Sequence, residues 1–436
     1  MTKKKRSSVR HTRSNQVARG QKQPTLPPDE VIAQQIKEVI HPATLAQVEY
    51  YQQLGLRERT LTLPVMVAVA ISLVWRQFAS VSETLRVLKT EGLLWVDPIQ
   101  VSQQAVSERL RTLPAELFER VLRDVLPVMQ SKWQQRTRPF PEEIEWSLQH
   151  YDQIWAVDGS TLDALMRRVG LLRDLPDHPL AGRMMGLLDV ASRLPVQLWY
   201  TDDDQAHDQR FWEEILMTLP AKTLLLLDLG FTNYNAYARL MGAQVTFITR
   251  CKSNAAYQVQ QVLHKSPHLH DSIVLLGQDQ LPIRLVEMHY NGKWHRYLTS
   301  EFDPERLPPL YVVALYWQRW RIEDAYKTVK RLLGLAYFWV GSVNGVALQL
   351  WATWLMYAVL VDLTDDVADT LAVPFNQLSL EMVYRSLYFC TTAFHRGESD
   401  DPVAYLAKNA KLFGLIKRKR KPPALQLLNL TILEQP

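Results

Sequence analysis

Tyr316, Arg319, Glu323 and Lys330 stand within one short run of the chain, at offsets of 0, 3, 7 and 14 from the tyrosine. At about 100° per residue, an uninterrupted helix would gather these four side chains within roughly 60° of arc. A helix facing a hydrophobic core would carry leucines on such a face. This one offers a carboxylate, two cations and a phenol, a set that suits a metal ion lying beside phosphate groups. Asp324 sits about 100° round the helix from Glu323 and is the poorer candidate.

Two aspartates upstream extend the pattern. Asp158 follows Ile-Trp-Ala-Val and precedes Gly-Ser, while Asp228 follows four leucines and precedes Leu-Gly-Phe. Each ends an apolar run of strand type. Two strand-end aspartates and a helical glutamate make up a kit for two-metal phosphoryl transfer. One ion would activate a water or a 3′-hydroxyl, and the other would stabilise the leaving oxygen. Hard carboxylate oxygens favour Mg²⁺, with Mn²⁺ as a substitute. The chain has no glycine-rich loop bearing a lysine for a nucleotide phosphate, so the driving energy should come from the phosphodiester itself. Each residue also has a plainer reading. Asp158 and Asp228 could be turn residues, and Glu323 beside Arg319 and Lys327 is also the pattern of a surface i,i+4 ion pair. The acid run Asp202 to Asp204, with His207 and Asp208, is expected to be a solvated loop. Trp320 is expected to pack in the core.

Length and composition limit the alternatives. A chain of 436 residues with 47% apolar content can build two to four domains with real cores. Two cysteines, Cys251 and Cys390, are too few for a disulfide framework or a cysteine-ligated zinc site, which points to a reducing, cytoplasmic location. The basic start runs into polar residues, so no signal peptide is expected. The apolar stretches Leu63 to Trp75 and Leu348 to Val361 fall short of the roughly 20 residues of a membrane span and read as buried helices. The net charge of +5 conceals an asymmetry. Eight lysines and arginines and no acid lie in residues 1–22, and seven more, again without an acid, in residues 408–421. Without those fifteen charges the remainder is near −10. Basic blocks of this kind bind nucleic acid or another anionic surface.

The texture of the chain divides it further. Residues 1–28 read as a disordered basic arm, and residues 29–140 as a helical domain almost without strands. Within it, the polar helix Val101 to Pro114 follows a turn at Asp97-Pro98 and suits the second helix of a helix-turn-helix. Gln103, Gln104, Ser107, Arg109 and Arg111 could then face DNA, although the segment by itself reads equally as an ordinary surface helix. From Ile154 the order is strand, strand, strand, helix, strand, helix, strand, which argues for a mixed α/β sheet over residues 141–250. Residues 251–300 are β-rich, with strands expected at 271–276, 282–290 and 295–299. Residues 301–365 carry the glutamate helix, starting near Pro308 or Pro309, and residues 366–436 form a helical end with the second basic block.

Acids at the end of the first strand, after the fourth strand and on a late helix resemble the ribonuclease H-like fold. Tyr316, Arg319, Glu323 and Lys330 further match the tyrosine–two–arginine–three–glutamate–six–lysine signature of bacterial cut-and-paste transposases of the insertion sequence four type. Asp158 and Asp228 look like the other two members of that family's Asp-Asp-Glu triad. The resemblance covers about residues 150–340. It implies a ribonuclease H-like core with a β-rich insertion, preceded by a helical DNA-binding domain and followed by a helical basic tail. It also implies a Mg²⁺-dependent enzyme that binds transposon inverted repeats, cleaves the ends and joins the 3′-hydroxyl strand to target DNA. Tyr316, Arg319 and Lys330 would grip phosphates, and Trp294 would stack on an unpaired base. Gln104, Arg109 and Arg111 would read the end sequence, and the basic blocks would add phosphate contacts. Two transposon ends held together imply a homodimer. Two other readings share the residues: a structure-selective nuclease or resolvase, and a non-catalytic DNA-binding regulator derived from a transposase.

Overall fold

The computed structural model describes residues 30–78, 80–162, 182–203, 206–335, 338–339 and 342–417. The basic arm, Asp204 and residues 418–421 of the second basic block lie outside the described residues. The chain divides into two compact units. The first contains the described residues up to Thr137 together with Tyr326–Ile416; the second contains Arg138–Leu162 and Gly182–Ala325.

The first unit is helical. It comprises α1 (Glu30–Ala46), α2 (Val48–Gln53), α3 (Leu63–Trp75), α4 (Val81–Thr90), α5 (Gln103–Thr112) and α6 (Glu116–Gln134). The second unit begins with α7 (Glu142–Leu148) and adds α8 (Trp212–Thr218), α9 (Tyr234–Gly242), α10 (Pro309–Gln318) and most of α11 (Trp320–Lys327). The chain then returns to the first unit with α12 (Val343–Thr370), α13 (Leu380–His395) and α14 (Pro402–Lys408).

In the first unit, α12 is apolar on nearly every side and packs against α3, α5, α6, α13 and α14. At 28 residues it is longer than the apolar stretch within it, and by length and composition alone it could cross a bilayer. Its burial gives it a different role, the axis of a helical core. Near its end, Asp362, Asp365 and Asp366 grip the buried Arg136 guanidinium at 2.6–2.8 Å. Ser102 caps α5, its hydroxyl accepting from the Ala105 amide at 3.2 Å, as the serine-capped helix read from sequence requires. The connection from α4 differs from that reading. Residues 91–102 intervene and contain a bridge between Leu93 and Val96. A helix-turn-helix uses a turn of roughly three or four residues.

The second unit is built on one nine-stranded sheet in the order β3-β2-β1-β4-β5-β9-β8-β7-β6. Its strands are β1 (Gln153–Thr161), β2 (Arg183–Asp189), β3 (Pro195–Thr201), β4 (Thr223–Leu227), β5 (Thr246–Arg250), β6 (Tyr257–Lys265), β7 (Leu269–Leu276), β8 (Leu281–Tyr290) and β9 (Lys293–Thr299). β1, β4 and β5 run parallel, and β2 is antiparallel to β1. The β-rich stretch after residue 250 is no separate sheet, because β9 pairs antiparallel with β5 through Ile248 and Thr299. β6 is absent from the sequence reading. Most of its residues are exposed, so the alternation of apolar and polar residues that marks a half-buried strand never forms.

Alternate residues of the strands bury one face of the sheet. Trp155, Val157, Leu225, Leu227, Phe247 and Leu298 enter a core shared with Trp212 and Ile215 of α8 and with Tyr237 and Leu240 of α9. The opposite face receives α10, where Tyr297 packs against Tyr316 with ring centroids 5.2 Å apart. The loop leading into α10 is pinned by an ion pair with no access to solvent. Arg284 on β8 binds Asp271 on β7 at 2.7 Å and donates to the Leu307 carbonyl at 2.8 Å, with longer contacts to the Glu301 and Asp303 carbonyls.

Removing one member of such a pair leaves the other charge buried without compensation, at a cost of about 3–5 kcal/mol. Arg284→Met should therefore lower the stability of the sheet unit by that order in urea denaturation, and pairing it with Asp271→Leu should recover much of the loss. A single-variant loss below about 1 kcal/mol would show that the pair does not hold the loop.

Candidate active site

Register brings the first two acids together. The parallel pairing of β1 with β4 ends at Val157 opposite Leu227, so Asp158 and Asp228 are the next residues on neighbouring strands. Their parity is shared as well. Val157 and Leu227 point into the core with α8 and α9, which turns both aspartates to the face that carries α10. Asp158 does not end its strand, since β1 continues to Thr161 along β2 after parting from β4. Asp228 leads into a 3₁₀ turn over Leu229–Phe231.

Arg319 ties these acids to the third. It lies between α10 and α11, with its side chain 5% exposed. One Nη reaches Asp158 Oδ2 at 3.3 Å; the other reaches Glu323 Oε1 at 2.9 Å and Asp228 Oδ1 at 3.5 Å. The i,i+4 pair of Arg319 and Glu323 thus exists, but as part of a larger cluster rather than as a lone surface bridge. Burial opposes the guanidinium's charge, yet Asp228 and Asp158 outweigh it and hold Arg319 above its ordinary value. The Tyr316 hydroxyl donates to Asp228 Oδ1 at 3.5 Å, the outer limit of a hydrogen bond. Its phenol is pushed up to about 12, chiefly by burial.

The three carboxyls differ in setting. Asp158 has a side chain 16% exposed and is pushed up to about 7, mainly by burial. Arg319 and the Gly159 amide, which donates to Oδ1 at 2.9 Å, oppose the rise, while Asp228 and Glu323 add to it. Asp228 and Glu323 are 40% and 36% exposed, open to a ligand from solvent. The donor set is therefore three hard carboxylates, one buried and two accessible, and its chemistry fits a divalent cation. As placed, no group of three acidic, histidine or cysteine side chains among the described residues stands close enough together to hold one ion. The Arg319 guanidinium is what gathers them.

Several expectations fare differently. Lys330 does not continue an ideal helix. A π-helical turn over Thr328–Leu332 interrupts the spacing, and the lysine belongs to the helical unit. Trp294 is 43% exposed but occupies the sheet face opposite Tyr297, stacked on His270 at 4.5 Å and tilted against His289. Trp320 is not a core residue; it is 55% exposed, with the Arg319 guanidinium 5.2 Å from its ring. Asp324 is exposed and pairs with Arg321 at 3.7 Å, in keeping with its lower rank. In the helical unit, Gln104 is exposed and Arg111 is held by Glu108 at 2.7 Å. Arg109 is turned inward, donating to the Tyr51 hydroxyl and to the Arg57 carbonyl.

The acid run after β3 is not uniformly a solvated loop. Asp203 is exposed and pairs with Arg210 at 3.0 Å, but Asp208 is half-buried and binds Arg183 of β2. This pair packs so closely on Gly159 that a Cβ there would lie 2.0 Å from Asp208 Oδ1. A side chain next to Asp158 would therefore displace the Asp208 carboxylate from Arg183. Sequence reading also passed over Arg250. It ends β5, exposed, one strand along from Asp228, and its charge acts on Tyr316, Tyr297 and His295. A cation closing a parallel strand beside two strand-end acids was the available signal.

Comparison with known proteins fits this site. Residues 182–359 match the family model of the transposase DDE domain. The match includes Asp228, Arg250, Tyr316, Arg319, Glu323 and Lys330, and Asp158 precedes it. A segment of 148 residues is 28% identical to "Putative transposase y4zB" of Sinorhizobium fredii (strain NBRC 101917 / NGR234), covering 31% of this chain. The match spans 41% of that relative's length. Residues 182–359, which carry Asp228, Arg319 and Glu323, are thus similar to a transposase DDE domain, and both comparisons point to an insertion-sequence transposase.

Proposed function

We propose that the protein is a cut-and-paste DNA transposase of the insertion sequence four type, which cleaves the ends of its element and joins the freed 3′-hydroxyl to target DNA. The observation that carries this reading is the meeting of Asp158, Asp228 and Glu323, from two adjacent strands and a helix, around one buried guanidinium. The strand order β3-β2-β1-β4-β5, with β2 antiparallel to the rest, supports a ribonuclease H-like core.

DDE transposase domains use divalent metal ions, and the hard oxygens of Asp158, Asp228 and Glu323 would hold Mg²⁺ or, in its place, Mn²⁺. When bound, such ions activate the attacking oxygen and stabilise the leaving one. The rest falls to the chain itself. Arg319 and Arg250 supply charge-assisted donors that orient phosphates at the acids, with the Tyr316 hydroxyl beside them. Lys330 would likewise contact phosphate, as the family signature implies. On the DNA-reading side, Gln104 and Arg111 present polar groups at the surface of α5, whereas Arg109 would have to leave Tyr51 to contact a base. Trp294, on the face away from Tyr316, would hold an unpaired base outside the acid site. The basic blocks at 1–22 and 408–421 would add phosphate contacts without sequence preference. Holding two ends at once calls for a homodimer.

Asp158→Ala, Asp228→Ala and Glu323→Ala should each reduce cleavage of a duplex bearing the element's inverted repeats by at least about a thousandfold, while leaving binding of that duplex largely intact. Near-wild-type cleavage by any one would remove that residue from the site. A pre-cleaved end supplied with supercoiled target separates this function from its rivals, because a nuclease or resolvase would not join the two and a regulator would do nothing to either.

The raised value of Asp158 sets a pH dependence. Its carboxyl must lose a proton to act as a ligand, so at limiting metal cleavage should climb as pH rises toward about 7 and then level off, and excess metal should move the rise to lower pH. The linkage to stability has the opposite sign. A folded-state value above the unfolded one makes this group's contribution greatest in acid and lost as pH rises through 7. Metal-free Asp158→Asn should therefore be more stable than wild type at pH 8, by on the order of 1–3 kcal/mol, with the gap closing toward pH 4. A gap independent of pH would mean that Asp158 ionises normally.

A further inference from the structure

We propose that Arg319 is an internal counter-ion which occupies the three carboxylates in the resting protein and competes with divalent cations for them until DNA phosphate draws it away. The inference rests on the two-metal reading above and adds a regulatory step to the same site.

Three observations carry it. First, the guanidinium contacts all three acids, at 3.3, 3.5 and 2.9 Å, although they come from two strands and a helix. A residue placed only to grip phosphate would need no such arrangement. Second, Arg319 is nearly buried while Asp228 and Glu323 remain substantially exposed. The arginine is thus more buried than the three acids whose charge it offsets. Third, as placed, no three acidic, histidine or cysteine side chains among the described residues stand close enough together to hold one ion, whereas Arg319 contacts all three acids. A cation arriving from solvent must take carboxylate oxygens that Arg319 already holds, so the two positive groups exclude each other in part.

Phosphate changes the balance. The backbone of a docked strand offers Arg319 an anion whose oxygens match its planar fork. Movement of the guanidinium from carboxylate to phosphate would free the acids for metal in the same event. By linkage, DNA should then raise metal affinity and metal should raise DNA affinity by the same factor. Metal would therefore bind weakly to protein that has not engaged DNA.

Metal binding can be read without turnover, from the loss of the free Mn²⁺ signal in electron paramagnetic resonance, on the full chain at pH 8. Without DNA, Arg319→Gln should bind Mn²⁺ at least about fivefold more tightly than wild type, and Arg319→Lys should fall between them because one ammonium cannot span three carboxylates. A generic duplex at low salt should tighten Mn²⁺ binding to wild type by a similar factor and to Arg319→Gln hardly at all. If Arg319→Gln fails to fold, tighter binding by Arg319→Lys carries the test. Equal or weaker Mn²⁺ binding in the folded variants overturns the counter-ion role. Failure of the underlying reading looks different. If Asp158→Asn and Asp228→Asn leave Mn²⁺ binding unchanged in both the wild-type and Arg319→Gln backgrounds, the acids are not the metal ligands and both proposals fall. If those substitutions weaken binding while Arg319→Gln does not strengthen it, the acids stand as ligands and only the counter-ion role is lost.

Discussion

Three carboxylates crowded at one end of a sheet repel one another, and partial burial makes that repulsion more costly than it would be in water. The second unit answers this with a single guanidinium. Arg319 reaches one acid on β1, one just past the end of β4 and one on α11. Because it sits between α10 and α11, its position depends on how α10 is laid on the sheet. That placement is secured by the Tyr297–Tyr316 contact, by Gln318 bonding to the buried Glu143 of α7, and by the Arg284–Asp271 pair anchoring the loop that enters α10.

The sheet provides the other half of the geometry through its period of two. Leucines and aromatic residues at alternate positions of β1 and β4 bury one face, and the in-register pairing of Val157 with Leu227 makes the following residues neighbours on the other. A shift of one residue in that register would separate the aspartates or turn one of them into the core. The four leucines before Asp228 therefore do more than fill space: their burial fixes which way the acid points. Gly159 turns to the opposite face, where the Arg183–Asp208 pair packs closely against it.

Tertiary context also reassigned residues that looked equivalent in sequence. Arg109 and Arg111 lie two apart on one polar helix, yet Arg109 is used internally by Tyr51 while Arg111 stays at the surface with Glu108. Trp294 and His295 are adjacent but face opposite ways, so His295 shares the side of Tyr290 and Tyr316 and Trp294 does not. The π-helical turn at Thr328–Leu332 breaks the regular spacing on which the grouping of Lys330 with Glu323 relied.

Short-range physics made much of this legible from the sequence alone. The apolar runs before Asp158 and Asp228, the prolines opening α10, the serine cap of α5 and the helix bearing Glu323 are encoded within a few residues and lie close to where they were expected, although β1 runs on past Asp158 and the expected single helix breaks at Arg319. The joining of β6–β9 to the same sheet was not legible, because strand pairing depends on partners far away in sequence. The edge strand β6 was missed for want of a buried face. Arg250 likewise gained meaning only when β5 was seen beside β4. Most of all, the sequence supplied three acids and an arginine at suggestive spacings, while only the tertiary structure decided that the arginine would bind all three. The offset of four residues ties Arg319 to Glu323 within a single helix turn. Its contacts with Asp158 and Asp228 span 161 and 91 positions, and such distances are closed only by the long-range pairing and packing of the sheet.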